Sequence, residues 1–281
     1  MDSLVFAAVL FAAACHAGWN AAIKTGLDPL SSTVLITTGA GLVSLALLPF
    51  VGLPPAAAWP WVIASVVIHL FYFIGLSEAY RTGDLGQVYP LARGSAPLMT
   101  AGATALLIGE RIGPAGWCGV IVLAAGVLLL SLRGGRLLQP PDRRAVSFAL
   151  FTALTICLYS VADGIGARTA VNPHPYTIAM FIGNALVMIV YFLIRRGPVD
   201  ISPMLKTWPV GMIGGSMQLL SYGIAIWAMT LAPIALVAAL RETSVLFGAL
   251  IAVLFLKEPM RPARIVAALM IVCGLVAIRL S

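Results

Sequence analysis

The chain of 281 residues falls into ten apolar runs, near 4–23, 30–50, 59–80, 85–108, 113–132, 145–166, 173–194, 208–231, 233–256 and 261–280. Each is about as long as the roughly 20 apolar residues a helix needs to cross a bilayer. The links are too short for a water-soluble domain of useful size. Hydrophobic residues make up 61% of the chain and charged residues only 10%, with a mean hydropathy of +1.03. A water-soluble core has no use for that much apolar surface. The pattern predicts an all-α integral membrane protein of ten transmembrane helices, with the lipid bilayer as its first partner. The net charge of +7 does not point to nucleic acid, because the basic residues flank the spans, where they set orientation and meet anionic headgroups. The opening "MDSLVFAAVLFAAACHAGWN" looks like a signal peptide, but Asp2 stands where such a peptide carries positive charge. It is expected to be the first span.

The second half repeats the first. At an offset of 148 residues Arg93 falls on Arg241, Glu110 on Glu258, Gly75 on Gly223 and Thr82 on Thr230. Composition alone gives matched alanines and leucines, but not a matched arginine and a matched glutamate. The stretch 133–144, "RGGRLLQPPDRR", reads as a basic Gly/Pro linker. The expected units are 1–132 and 145–281, each of five spans. Five is odd, so the second unit enters the membrane from the opposite side. Such inverted repeats are frequent in secondary transporters, whose sites lie near mid-membrane between the repeats. If the N-terminus is outside, twelve Lys and Arg near span ends fall on the inner side, among them Lys24, Arg81, Arg195, Arg196 and Lys206. Three fall outside, Arg111, Arg168 and Arg279. The expectation is a multi-pass protein of the inner (plasma) membrane with both termini outside the cytoplasm.

Five motifs carry a family resemblance: "HAGWNAAIK", "YRTGDLGQVYPLARGSAPL", "GER", "KEP" and "YSVADGIGAR". With them the chain resembles the ten-helix EamA branch of the drug/metabolite transporter superfamily over nearly its whole length. The resemblance implies two five-helix repeats around a central cavity. It also implies that spans 1, 3, 4, 6, 8 and 9 line that cavity while spans 5 and 10 pack outside. Members of the family include exporters of amino acids and related metabolites, aromatic amino acids among them.

A charge at mid-membrane normally faces a partner or a wet cavity. Arg93 lies between Pro90 and Pro97, which disturb the helix on either side and are candidate gating residues. Tyr89 shares its face. Arg93 either recognises a substrate carboxylate, which a guanidinium grips bidentately, or closes an internal salt bridge with Glu78 or Asp84. Arg241 is its repeat mate. Glu242 either pairs with Arg93 across the repeat interface or titrates. His16, Asn20 and Lys24 form one stripe at i, i+4 and i+8, with Trp19 alongside. Asp163, one turn after Tyr159, could receive an ammonium group, take up a proton or bond to a neighbouring helix. Span 3 places His69, Tyr72 and Phe73 on one side, and span 8 does the same with Gln218, Ser221 and Tyr222.

No P-loop, HExxH, GxSxG or catalytic carboxylate pair occurs. No metal site, cofactor or enzymatic activity is expected. Cys15, Cys118, Cys157 and Cys273 lie singly inside spans and read as small, buried apolar residues. The sequence predicts a secondary transporter that exports small organic metabolites by alternating access, a role for which a monomer suffices. Amino acids, especially aromatic ones, come first. Two other readings stay open: a broad-specificity drug or metabolite exporter, and an intramembrane enzyme or lipid flippase.

Overall fold

In a computed structural model, residues 1–22, 27–82, 85–132, 143–197, 202–255 and 262–281 are described. Side chains are described for these residues except 21–22, 76–82, 85–90, 131–132, 202–203, 252 and 254–255. The elements are α1 (Ser3–Ala22), α2 (Pro29–Val51), α3 (Trp59–Thr82), α4 (Leu85–Leu107), α5 (Pro114–Leu132) and α6 (Arg143–Thr169). They continue with α7 (Pro173–Arg196), a short α8 (Ser202–Lys206), α9 (Trp208–Leu231), α10 (Ile234–Arg241), α11 (Ser244–Phe255) and α12 (Pro262–Leu280). A 3₁₀ turn, Ala56–Ala58, precedes α3. Among the described residues eight stretches are long and apolar enough to cross a membrane, and α5 adds a shorter apolar one. The protein is a multi-pass membrane protein. The expected linker falls largely outside the described residues, as do Lys24, Asp84 and the "KEP" motif, and the side chains of Glu78, Tyr89 and Pro90.

Local chemistry sets the helix ends. Asp28 caps α2 by accepting from the backbone N–H of Leu30 and Ser31, with Pro29 at the first helical position. Arg196, at the end of α7, closes a bidentate pair on the same carboxylate at 2.9 and 3.0 Å. Partial burial works the other way, but hydrogen bonding by Ser31 and the nearby Arg196 hold the Asp28 carboxyl below its ordinary range. Asn172 caps α7 in the same manner. At the other face Arg279, near the end of α12, reaches the Met1 carbonyl and the Ser3 hydroxyl.

Among the described residues the ninth span departs from expectation. The sequence predicts a single helix over 233–256, and the chain is instead broken between α10 and α11. The backbone at 242–246 bonds i to i−3: Glu242 to Ala239, Thr243 to Leu240, Val245 to Glu242 and Leu246 to Thr243. The Thr243 hydroxyl donates to the Leu240 carbonyl at 2.7 Å. That local alternative to the helical ladder explains the break. By contrast α4 runs without interruption through Pro97.

The helices pair α1 with α9, α3 with α6, α2 with both α7 and α9, α4 with α6, and α5 with α12. The last pair is the most extensive. It is a backbone-to-backbone contact: a methyl group on Gly119 would lie 2.9 Å from the Gly274 carbonyl oxygen, and one on Gly274 2.8 Å from that of Gly119. Small residues permit this approach, which is how helices associate where lipid offers no hydrophobic drive. Cys118 and Cys273 sit exposed on this outer pair, while Cys15 and Cys157 are buried, and all four are free thiols. The expectation of four buried cysteines therefore holds for two.

Candidate functional site

α1, α2, α3, α6, α7, α9 and α10 enclose a central cavity of about 40 Å³. That is room for a few waters. His16 and Trp19 come from α1, Thr37 from α2, and His69, Tyr72 and Phe73 from α3. Tyr159 comes from α6, Phe181 and Asn184 from α7, Gln218 and Tyr222 from α9, and Arg241 from α10. None of these lining residues is acidic.

The walls are rings. His69 stacks on Tyr159 at 4.2 Å between centroids, and Tyr72 and Tyr222 meet Tyr159 edge-on at 5.7 and 5.8 Å. Such pairs contribute about 0.5–1.5 kcal/mol each beyond their buried area, so the wall is firm. Nδ1 of His69 lies 2.9 Å from the Ser65 carbonyl. A carbonyl can only accept, so in the neutral ring this contact puts the proton on Nδ1 and leaves Nε2 as the acceptor. Arg241 is the one arginine or lysine among the described lining residues. Its guanidinium sits 4.5 Å from the centroid of the Tyr222 ring, an attractive cation–π contact.

Behind the wall lie two polar clusters. In the first, Arg93 Nε and Glu242 Oε2 are 2.7 Å apart, both side chains 3% exposed. Arg93 also donates to the Ser244 hydroxyl at 3.0 Å and approaches His16 Nε2 at 3.2 Å. The Trp19 indole N–H meets the other ring nitrogen, Nδ1, at 3.3 Å. His16 thus joins the cavity to the buried ion pair. In the second cluster Asp163 is fully buried. Tyr176 donates to one of its oxygens at 2.8 Å and Tyr222 to the other. Asp163 has no ion-pair partner among the described residues.

A third polar group closes one end of the bundle. Glu110 accepts from the backbone N–H groups of Ile234 and Ala235 at the start of α10, at 2.9 and 3.3 Å. Arg168 binds Glu110 at 2.9 Å and the carbonyls of Met229 and Ala232 at 2.8 and 3.0 Å.

The residues singled out in the sequence therefore part company. His16, Trp19, Tyr72, Tyr159, Tyr222 and Arg241 line the cavity. Asn20 turns back to donate to its own helix at the His16 carbonyl, 2.8 Å away. Arg93, Asp163 and Glu242 stand behind the wall: Arg93 and Glu242 pair with each other, and Asp163 accepts from tyrosines of α7 and α9. Pro97 is buried within α4. Tyr89 and Pro90 lie outside the described side chains. The resemblance implies that the fourth span lines the cavity and leaves out the second and seventh; no described residue of α4 lines it, whereas α2 and α7 do. The sequence reading misses Thr37, Phe181 and Asn184. Asn184 carries the one usable signal, a strongly polar side chain in an otherwise apolar span.

Comparison with known proteins fits this architecture. The sequence pattern described as "EamA-like transporter family" matches residues 3–132 and again 143–280. The spermidine export protein MdtI of Salmonella arizonae is 36% identical over 70 residues, 25% of this chain and 64% of the relative. Its counterpart in Salmonella paratyphi B is 38% identical over 68 residues, 24% of this chain and 62% of the relative. The chain thus spans less than two thirds of the length of these curated relatives. One solved crystal structure superposes with a TM-score of 0.76 at 20% identity, covering 99% of this chain and 96% of the other, which is a likeness of fold.

Proposed function

The chain belongs to the EamA-like transporter family, and on that premise we propose that it exports small organic metabolites bearing a carboxylate, aromatic and large apolar amino acids foremost. The family is one of transporters, not enzymes, and the mode proposed is secondary transport by alternating access. The observation that carries the substrate class is the cavity lining: among the described residues it has rings on most sides, one guanidinium and no carboxylate. Arg241 would take the substrate carboxylate through its planar fork. His69 Nε2, Asn184 and Gln218 offer acceptors for an ammonium group, and the ring walls receive an apolar side chain. Arg93 and Glu242 would hold the break between α10 and α11 in register, so that Arg241 turns inward while its sequence neighbour turns away.

We read the architecture as ten spans in two inverted five-helix repeats, with α10 and α11 as the two halves of the ninth. Two findings support this. The family pattern occurs once per half. The helix pairings also exchange under α1↔α6, α2↔α7, α3↔α9 and α5↔α12: α1–α9 becomes α6–α3, and α2–α9 becomes α7–α3. A discontinuous helix at the repeat interface is a usual place for a transporter's site. The 40 Å³ cavity then belongs to a state with no room for substrate, and Pro97 on α4 is a candidate for bending when the bundle opens.

Orientation is tested directly. A reporter active only in the cytoplasm should be silent when fused after Ser281 and active when inserted between Gly135 and Pro140. The reverse pattern would invert the orientation and leave the repeat intact.

The substrate class is tested in reconstituted vesicles. Labelled phenylalanine should exchange across the membrane and labelled spermidine should not. A polyamine needs carboxylates, and the described cavity lining has none. Exchange of spermidine without phenylalanine would overturn this reading and align the chain with its partial relatives.

A further inference from the structure

A second hollow lies on the outside of the bundle. It is a groove of about 340 Å³ between α2, α7, α8 and α9, within the roughly 300–1,000 Å³ range of small-molecule sites. Apart from Thr38 its lining is apolar. It follows one face of α2 from Val34 to Leu42, a run of about 12 Å at the helical rise. Its depth comes from a helix crossing without side chains: a methyl group on Gly39 would lie 2.2 Å from the Gly211 carbonyl oxygen. Leu193, Leu205 and Trp208 stand exposed along the rim.

Two described basic residues adjoin groove-lining residues in the sequence. Lys206 follows Leu205 directly, and Arg195 lies two residues beyond Leu193; both are exposed. Neither forms an ion pair among the described residues, whereas Arg196 beside them is neutralised by Asp28.

We propose that this groove binds one acyl chain of an anionic phospholipid, with the headgroup phosphate against Lys206 and Arg195. A narrow slot two helical turns long suits an unbranched chain. A neutral lipid offers no net charge to these two exposed cations, and an anionic headgroup does. Basic residues beside a crevice between membrane helices recognise such headgroups. The site also abuts the transport cavity. Thr37 faces the cavity and Thr38 and Gly39 the groove, so a bound chain braces α2 against α9 from behind. The proposal concerns lipid binding alone and stands or falls apart from the substrate assignment.

Native mass spectrometry of the purified full chain tests it, with phosphatidylglycerol and phosphatidylcholine of matched acyl length as probes. Phosphatidylglycerol should be retained preferentially. Lys206→Gln and Arg195→Gln should each weaken its retention about fivefold, and together about thirtyfold, bringing it down to the level of phosphatidylcholine. Thr38→Phe should fill the slot and abolish tight retention of both lipids, with helicity and melting temperature kept. Equal retention of the two lipids by the unmutated protein would overturn the proposal. So would phosphatidylglycerol held undiminished by Thr38→Phe. A dimer in the unmutated protein that Thr38→Phe dissolves would also overturn it, and would make a second copy the occupant.

Discussion

Glu242→Leu is expected to destabilise the protein by about 3–5 kcal/mol, because it removes the carboxylate paired with a buried guanidinium. Both members of the Arg93–Glu242 pair are 3% exposed, so water cannot substitute for the missing partner. Arg93→Leu should cost a similar amount by stranding the carboxylate. Glu242→Leu together with Arg93→Leu should recover most of the loss, since an apolar pair of comparable volume replaces a buried ion pair at little net cost. The two single losses should therefore fail to add by several kcal/mol, the sign of a coupled unit. Unfolding in detergent, followed by circular dichroism, reads all four proteins. Single losses below about 1 kcal/mol, or losses that add, would mean that the pair does not hold the break between α10 and α11. The same experiment separates the two roles the sequence leaves open for Arg93. A residue that gripped substrate would lose transport with stability intact.

The spans and the repeat are legible in the amino-acid sequence. Hydropathy marks the spans because a bilayer demands about the same length of apolar helix every time. The repeat shows itself through Arg93/Arg241 and Glu110/Glu258, charges that an apolar composition does not place twice in register by chance. What the sequence hides is direction. Arg241 and Glu242 are adjacent, and their divergence depends on a 3₁₀ turn made by backbone bonds that no periodicity encodes. Arg93 and Arg241 are repeat mates with the same chemistry. Only packing decides that one meets a carboxylate on a neighbouring helix and the other a ring and a cavity. Asp163 is similar. Its two tyrosine partners come from α7 and α9, 13 and 59 residues away, and nothing local announces them. Of its three open roles the geometry displays the third, a bond between helices.

The largest expected effect on transport is at Arg241. Its guanidinium is the one arginine or lysine charge on the described cavity wall, and its planar fork can grip a carboxylate with two charge-assisted hydrogen bonds at once. A hydrogen bond to a charged group is worth roughly 1.5–3 kcal/mol. Arg241→Lys keeps the charge and loses the fork. Transport of phenylalanine should therefore fall by about ten- to a hundredfold. Phenylalaninamide fills the ring-lined space equally well but has no carboxylate, so its transport should change little. Arg241→Gln should depress phenylalanine further, since the cation–π contact with Tyr222 goes too. Vesicles loaded with each labelled compound give the ratio directly, and melting curves confirm that the variants remain folded. Arg93→Lys serves as the contrast. Its guanidinium lies behind the wall, so any loss it causes should fall on phenylalanine and phenylalaninamide alike. If Arg241→Lys also depressed both compounds equally, the carboxylate would not be read at Arg241. If Arg93→Lys alone discriminated between them, the buried pair would have to open to substrate during transport, and the recognition role would pass to Arg93.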